Sequence, residues 1–574
     1  MKKLLKHMRG YEKECILGPL FKLLEATLEL LVPLVVAALI DRGIARGDRP
    51  FVLRMALILV LFGAVGLFFS VIAQFFAAKA AVGFVTRIRS TLFSHIQTLS
   101  YEQTDTLGTS TLITRLTGDT AQVQSGVNLC LRLLLRSPFV VFGAMVMAFF
   151  VDKQSALWFV AVIPLLSIVV FGIMLISMPL YKKVQSRLDR LLRSARENLS
   201  GTRVLRAFTE EDAQVKRFKR QNEELTDEQV RVGKISALLN PITYVLINFA
   251  IIVLIYTGAI RVEAGKLTQG AVIALYNYMS QILVELIKLA NMIINITKAL
   301  ASAKRIEAVL ENKNSQQKGT ETRPAEGTDA IVFKNVSFTY PGAKEPSVTD
   351  ISFHLKRGET LGIIGGTGSG KSTLVQLLGG FYDATEGEIS VLGRDVRSYD
   401  AGALCKLVGM VPQKSVLFRG SIGENMRLGN PEATDEEIID AISIAQASEI
   451  VAEKGGLSYE IAQGAKNLSG GQRQRLCIAR ALVTKPDILV FDDSSSALDF
   501  ATEASLRRDL KKLPAETTKV IISQRAGTLT DADKILVMDD GRIVGMGTSE
   551  ELMESCEVFR EIYRSQFGER REQA

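Results

Sequence analysis

The sequence predicts a membrane protein in two parts, six apolar α-helices followed by an α/β domain organised around a phosphate loop. Three observations carry this. Six apolar segments, at 16–40, 52–78, 128–150, 155–179, 241–262 and 269–297, each reach the roughly 20 residues that ~30 Å of hydrocarbon requires. From Ala330 to Phe567 the pattern changes to short apolar strands alternating with helical stretches, as in an α/β layer fold. Within that second part Gly365-Gly366-Thr367-Gly368-Ser369-Gly370-Lys371-Ser372-Thr373 follows the apolar strand Leu361–Ile364 and opens a helical stretch, the strand–loop–helix setting in which G-x-x-x-x-G-K-[ST] cradles phosphate.

Composition agrees with the first observation. At 574 residues the chain exceeds a single core, and 47% hydrophobic residues with a mean hydropathy of +0.20 fit a molecule half embedded in lipid. The formal charge of +8 could indicate nucleic acid, but the basic residues flank the apolar spans. The positive-inside rule explains them better, so no nucleic-acid partner is expected. Cys15, Cys130, Cys405, Cys477 and Cys556 are scattered without C-x-x-C spacing, which argues for free thiols rather than a disulfide framework or zinc site.

In order, residues 1–15 read as an amphipathic elbow helix at the membrane interface, with Lys2, Lys3, Lys6 and Arg9. Residues 16–310 form the transmembrane domain. Its loops at 41–51, 151–154 and 261–268 are short, whereas 79–127 and 180–240 keep a helical period with polar faces and read as spans continuing into water. Breaks are expected at Gly108-Thr109-Ser110 and Ser200-Gly201-Thr202. The long loops carry the dense Arg and Lys run (Arg187, Arg190, Arg193, Arg196, Lys216, Arg217), which puts them and both termini in the cytoplasm of a multi-pass cell-membrane protein. The short loop with Arg42, Arg46 and Arg49 runs against that rule. Residues 311–329 are a polar linker, 330–567 the nucleotide-binding domain and 568–574 a polar tail.

The chemistry starts at the loop. Its glycines let backbone N–H groups wrap phosphate oxygens, and the helix start adds its positive dipole end. Lys371 is placed for the β/γ-phosphates and the Ser372 hydroxyl for Mg²⁺. Tyr340, about 25 residues upstream, is a candidate for base stacking; a strand-end tyrosine is an equal reading of that residue alone. Ile488–Asp492 is an apolar strand ending in a carboxylate, suited to Mg²⁺ directly or through water. Asn467-Leu468-Ser469-Gly470-Gly471-Gln472 offers caps and glycines before a helical stretch, Arg473–Leu482; by itself this is a second anion-facing helix start or an ordinary capped helix.

Tyr340, the phosphate loop, Val411-Pro412-Gln413, Leu468–Gln472, the Asp492 strand and Ser496-Ala497-Leu498-Asp499 occur in the order found in ATP-binding cassette (ABC) transporters. The chain resembles an exporter-type half-transporter of that family over nearly its whole length. The resemblance implies an ATP site with Mg²⁺, in which Tyr340 stacks adenine, Gly365 to Thr373 hold the phosphates, and Ser372, Gln413 and Asp492 attend the metal. It implies that Gln413 also senses the membrane domain. It implies further that Ser469, Gly470 and Gly471 cap the γ-phosphate bound to the opposite cassette, with Gln472 and Asp499 in the same set. By position, segments 102–118 and 207–214 look like the coupling helices that touch the cassettes.

Two residues depart from the family's pattern. The residue after the Asp492 strand, Glu in the family, is Asp493, and the switch histidine is Gln524. Leu468–Gln472 is intact. The expectation is therefore one half of a heterodimer whose own site hydrolyses poorly while its signature completes the site of a second, non-identical half-transporter. The implied cargo is amphipathic small molecules, drugs or peptides, moved outward. An ATP-gated regulatory or channel-like subunit, and an importer on the same fold, are the alternatives. At membrane depth Glu25 and Glu29 share a helix face, as do Glu285, Lys288, Asn291 and Asn295; they line a cargo cavity or bond between helices.

Overall fold

The computed structural model describes residues 4–312, 316, 319–325, 327 and 329–567. Residues 1–3 of the elbow, part of the linker and the tail 568–574 lie outside the described residues. Two compact units result: one holds the chain up to Gln97 together with Thr109–Asn312, the other Thr98–Gly108 together with the chain from Lys313 onward.

The first unit begins with a 3₁₀ turn at Leu4–Met8. The helices are α1 (Glu12–Ala38), α2 (Arg49–Ile96), α3 (Tyr101–Leu107), α4 (Thr109–Thr114), α5 (Thr120–Leu133), α6 (Arg136–Val151), α7 (Lys153–Ser200), α8 (Thr202–Ala207), α9 (Glu211–Ala237), α10 (Leu239–Glu263) and α11 (Gln269–Glu311). All but α3 belong to this unit. Six helical runs are long and apolar enough to cross a membrane: Glu12–Ile44, Arg49–Ile96, Thr109–Val151, Lys153–Ser200, Glu211–Glu263 and Gln269–Glu311. The short loops between spans end in N-caps that restart the helices. Asp48 Oδ1 accepts from Phe51 N at 3.0 Å, Asp152 Oδ2 from Ser155 N at 2.7 Å and Thr268 Oγ1 from Ala271 N at 3.3 Å.

Close helix approach relies on small residues. A Cβ on Gly83 would come 2.1 Å from the Tyr11 ring, and one on Gly126 2.2 Å from Ala299 Cβ. Between spans, α2, α7, α9 and α11 run on well past the apolar windows. The chain breaks at Gly108 (φ 74°) and beside Gly201, the C-cap of α7. Expectation and structure differ at 207–214. That stretch covers the bend around Thr209 (φ 56°) and the first turn of α9, and the short helix α8 lies before it at 202–207. The helix restarts directly after Gly201, so its single short turn is spent before Phe208.

The second unit is the cassette. Its antiparallel sheet contains β1 (Asp329–Phe338), β2 (Val348–Lys356), β4 (Glu386–Val391) and β5 (Arg394–Asp395) in the order β2-β1-β4-β5. Between β2 and β4 come β3 (Thr360–Gly365) and α12 (Lys371–Leu378), and after β5 come α13 (Ala401–Leu407) and β6 (Val408–Val411). The second sheet has the order Arg542–Gly547, Lys534–Asp539, β3, Thr518–Ile522, Ile488–Asp492, β6, and all its pairings except the first are parallel. Strand Ile488–Asp492 is buried at every position, as expected for a sheet covered on both faces.

Candidate nucleotide site

Parallel register decides which residues meet. Ile522 pairs with Ile363 and with Asp492, and Val411 pairs with Phe491. β3, Ile488–Asp492, Thr518–Ile522 and β6 therefore all end at one edge. At that edge they present, respectively, the phosphate loop, Asp492-Asp493, Gln524 and Gln413. Ligands of open α/β sheets bind at this carboxyl edge.

The loop's glycines are required by space. A Cβ on Gly365 would lie 2.1 Å from Met538 O, and one on Gly370 2.8 Å from Ser347 O; Gly370 also has φ 94°, where glycine is favoured. Lys371 opens α12 and folds back over the loop, donating to Gly365 O at 2.9 Å, Gly366 O at 2.5 Å and Ser369 Oγ at 3.2 Å. Burial lowers its pKa from the usual lysine value, with the Asp493 and Asp492 charges opposing. Ser372 Oγ donates to Asp492 Oδ1 at 2.9 Å. That is a pair of hard oxygen donors, the kind Mg²⁺ takes alongside nucleotide phosphates and water. Among the described residues no group of three or more His, Cys, Asp or Glu could hold a metal.

Asp493 follows its strand at φ 47°, a backbone region that Asp tolerates better than most residues. Its N–H donates to Ile522 O at 3.1 Å. Gln524 Nε2 stands 3.4 Å from Asp493 Oδ2, and the Gln413 side chain also hydrogen-bonds this carboxyl. Gln413, Asp493 and Gln524 thus meet beside Asp492. Burial raises the pKa of both Asp492 and Asp493 above the ordinary carboxylate value, and bonds from Ser372 and Gln413 respectively oppose it.

Tyr340 packs along α12. Its hydroxyl donates to Gln376 Oε1 at 2.8 Å and meets Thr373 Oγ1 at 3.2 Å, and its ring is edge-on to Phe338 and Tyr382 at 4.8 and 5.3 Å. Ser469 and its neighbours make a helix tip of their own. The helix runs Gly470–Val483, three residues earlier than the expected Arg473 start, because Ser469 caps it. Ser469 Oγ accepts from Gln472 N at 3.2 Å and Gln472 Oε1 from Ser469 N at 2.9 Å, a reciprocal capping box. Asn467, also a candidate cap, instead braces the preceding loop through Tyr459 OH and Glu460 O. No atom beyond its immediate neighbours stands within 4 Å of a Cβ built on Gly470, while one on Gly471 would sit 3.2 Å from Ala497 O. Asp499 caps the next helix through Thr502 N at 2.9 Å.

In the membrane unit, Glu25 pairs with Lys22 at 2.6 Å and Glu29 with Arg136 at 2.6 Å. Glu285, 2% exposed, accepts from Arg136 at 2.7 Å, Ser137 at 2.8 Å and Lys288 at 2.9 Å. Asn295 Nδ2 donates to Asn291 O at 3.0 Å. Sequence reasoning missed Arg136, which ties α1 to α11 from α6; an ionisable residue inside an apolar span was the available signal. It also missed Tyr382, whose hydroxyl donates to Asp105 of α3, and Phe381, stacked on Tyr101 of α3 at 4.5 Å. No local pattern marks either.

A bundle of six candidate spans joined to a cassette with a complete phosphate loop, a strand-end carboxylate pair and a capped signature helix defines an ATP-driven membrane transporter. Residues 15–286 match the family described as ABC transporter transmembrane region, and residues 348–496 the family described as ABC transporter. An uncharacterized ABC transporter ATP-binding protein of Mycobacterium tuberculosis is 35% identical over 567 residues, 98% of this chain and 97% of the relative. One of Bacillus subtilis is 34% identical, covering 99% of each chain. An ATP-dependent lipid A-core flippase of Yersinia pestis is 29% identical over 97% of this chain and 96% of its own. The solved structure of a bacterial Atm1-family ABC exporter with ATP bound has the same fold, with a TM-score of 0.81 at 24% identity over 97% of this chain and 99% of that one. The chain belongs to the ABC transporters, has the exporter-type fold and carries the family's ATPase domain.

Proposed function

We propose that this chain is the weakly hydrolysing half of a heterodimeric exporter in the cell membrane, both termini cytoplasmic. Its cargo is amphipathic: small molecules, drugs, peptides or, by the likeness to a lipid flippase, lipids. The carrying observation is the cluster at the sheet edge. Asp493 and Gln524 occupy the family's Glu and His positions, while Lys371, Ser372 and Asp492 keep the binding set intact.

Lys371 and the loop amides would hold the phosphates, and Ser372 with Asp492 and Gln413 would hold Mg²⁺, which would supply charge neutralisation at the transferring phosphoryl group. Asp493 is one methylene shorter than Glu, so its carboxylate stands back from the attacking water. Gln524 can donate to the γ-phosphate but carries no positive charge. The open, capped tip Ser469–Gln472 serves the partner's nucleotide. ATP then favours the closed pair through contacts from both halves, and hydrolysis at the partner's site resets it. In the membrane, Glu29 and Lys288, whose side chains are 40% and 46% exposed, are the charged groups of the Arg136 cluster accessible to cargo.

The test compares ATP turnover of the purified chain alone with turnover after mixing with a companion half-transporter that carries Glu and His at the matching positions. Turnover should require the companion. Brisk turnover by the chain alone would overturn the reading.

A further inference from the structure

The membrane unit contains a second polar feature, away from the Arg136 cluster. Between the first turns of α7 and the last turns of α10 lies a pocket of about 480 Å³, lined by Gln154, Ser155, Trp158, Ala161, Thr257 and Arg261 among others. A volume of this size is in the range of small-molecule sites and far exceeds the ~30 Å³ share of one water. It lies at the end of the bundle where α10 ends and α11 begins, opposite the end from which α11 leads to the linker.

Its chemistry is layered. Arg261 is two residues from the end of α10, while Trp158 is five residues into α7, which at 1.5 Å per residue places it ~8 Å from that helix end. The cation is thus at the rim and the aromatic ring a turn deeper, with Leu157 and Ile260 at 60% and 50% exposure beside it. Arg and Trp at a span's end are interface anchors, and here both face one cavity.

Arg261 is held but not used up. Its Nη2 donates to Asp152 Oδ1 at 2.7 Å and its Nη1 to Gln154 Oε1, while its Nε is buried without a hydrogen-bond partner. A guanidinium has five N–H donors; the Nε hydrogen is enclosed, but Nη1 and Nη2 each carry a second one, so a planar fork already oriented by Asp152 still has donors for an incoming oxyanion. Arginine suits phosphate in this way.

We infer that this pocket holds one phospholipid of the surrounding leaflet, its phosphodiester on Arg261 beside Gln154 and Thr257, and an acyl chain along Leu157, Ala161 and Ile260. The rim charge selects the phosphate, and the exposed apolar wall requires the tail. The inference needs the chain to cross a bilayer. It does not depend on which cassette hydrolyses ATP.

Trp158 is the only tryptophan in the chain, so intrinsic fluorescence reports this pocket alone. The full chain, in uncharged maltoside micelles, is titrated with phosphatidylglycerol brominated on its acyl chains, and separately with diacylglycerol bearing the same chains and no phosphate. The phospholipid should quench Trp158 at a mole fraction about tenfold lower, the step one good charge-assisted contact supplies. Arg261→Gln should bring the two midpoints together. Ala161→Phe, which fills the pocket and leaves the Asp152–Arg261 pair in place, should do the same. Equal midpoints in the native chain, or a surviving difference in either variant, would overturn the assignment. So would competition by tail-free glycerophosphoglycerol as strong as that of the intact lipid, which would mark a site for a soluble phosphoester.

Discussion

Restoring the two departed residues should turn the chain into a self-sufficient ATPase. In the variant Asp493→Glu, Gln524→His the carboxylate advances by one C–C bond, ~1.5 Å. In the native chain Gln524 Nε2 is 3.4 Å from Asp493 Oδ2, a long hydrogen bond. A base must stand within about 2.6–3.2 Å of the proton it takes. A misplacement of ~1 Å can cost on the order of 10²-fold, or ~2.7 kcal/mol of barrier. Because Leu468–Gln472 is unchanged, two copies of the variant would each offer a complete signature to the other. Turnover of the chain alone should therefore rise by about 10²-fold, and Lys371→Ala in that background should abolish it. Asp493 sits at φ 47°, where Glu is less at ease than Asp. The gain should thus come with a stability loss of up to about 1 kcal/mol, measurable by thermal unfolding without nucleotide. A variant that folds, binds ATP and turns over no faster than the native chain would refute the reasoning.

Other contacts set further expectations. Arg136→Leu leaves Glu285 buried with one of its three partners gone and should cost about 3–5 kcal/mol, whereas Glu29→Gln, at a side chain 40% exposed, should cost under about 1 kcal/mol; thermal unfolding in micelles compares the two. Tyr382→Phe removes the bond to Asp105, so amide exchange over 101–107 should quicken about tenfold or more, and unchanged exchange would show that α3 is held otherwise. Burial raises the Asp492 pKa, so the folded cassette disfavours the ionised form. This penalty is absent below the ordinary carboxylate value near 3.9 and grows as pH rises through the raised one. Without nucleotide, Asp492→Asn should therefore gain stability over the native chain at neutral pH and lose that advantage as pH falls toward 4.

What was legible in the sequence was what is encoded locally. The phosphate loop, the Asp492 strand and the signature are contiguous runs whose spacing prescribes their chemistry. The spans show because hydrocarbon demands length. Boundaries blurred where a cap decides between neighbouring starts: the helix after Ser469 begins three residues early because the Ser469–Gln472 reciprocal cap recruits both glycines. The short helix near 202–207 sits ahead of the expected segment because Gly201 and Thr209 place the bends. The Arg136 cluster joins residues 107 and 149 positions apart, and no period reveals that. The glutamates alone left cavity lining and interhelical bonding open, and the missing datum was the cation between them.

Long-range assembly also explains how the nucleotide site reaches beyond the cassette fold. Tyr340 is bonded to α12 and packs edge-on against Tyr382. Tyr382 in turn donates to Asp105, and the adjacent Phe381 stacks on Tyr101. The segment 98–108 therefore folds with the cassette although both its neighbours in sequence belong to the membrane unit. A ring displaced at Tyr340 has only a packed aromatic and one hydrogen bond between it and α3, and close-packed groups of this kind shift together rather than deform. If Tyr340 stacks the base as proposed, nucleotide occupancy and the position of α3 are not independent variables. Such coupling would require no catalysis at Asp493, so a site that binds ATP and hydrolyses it poorly, as proposed above, would keep a mechanical role.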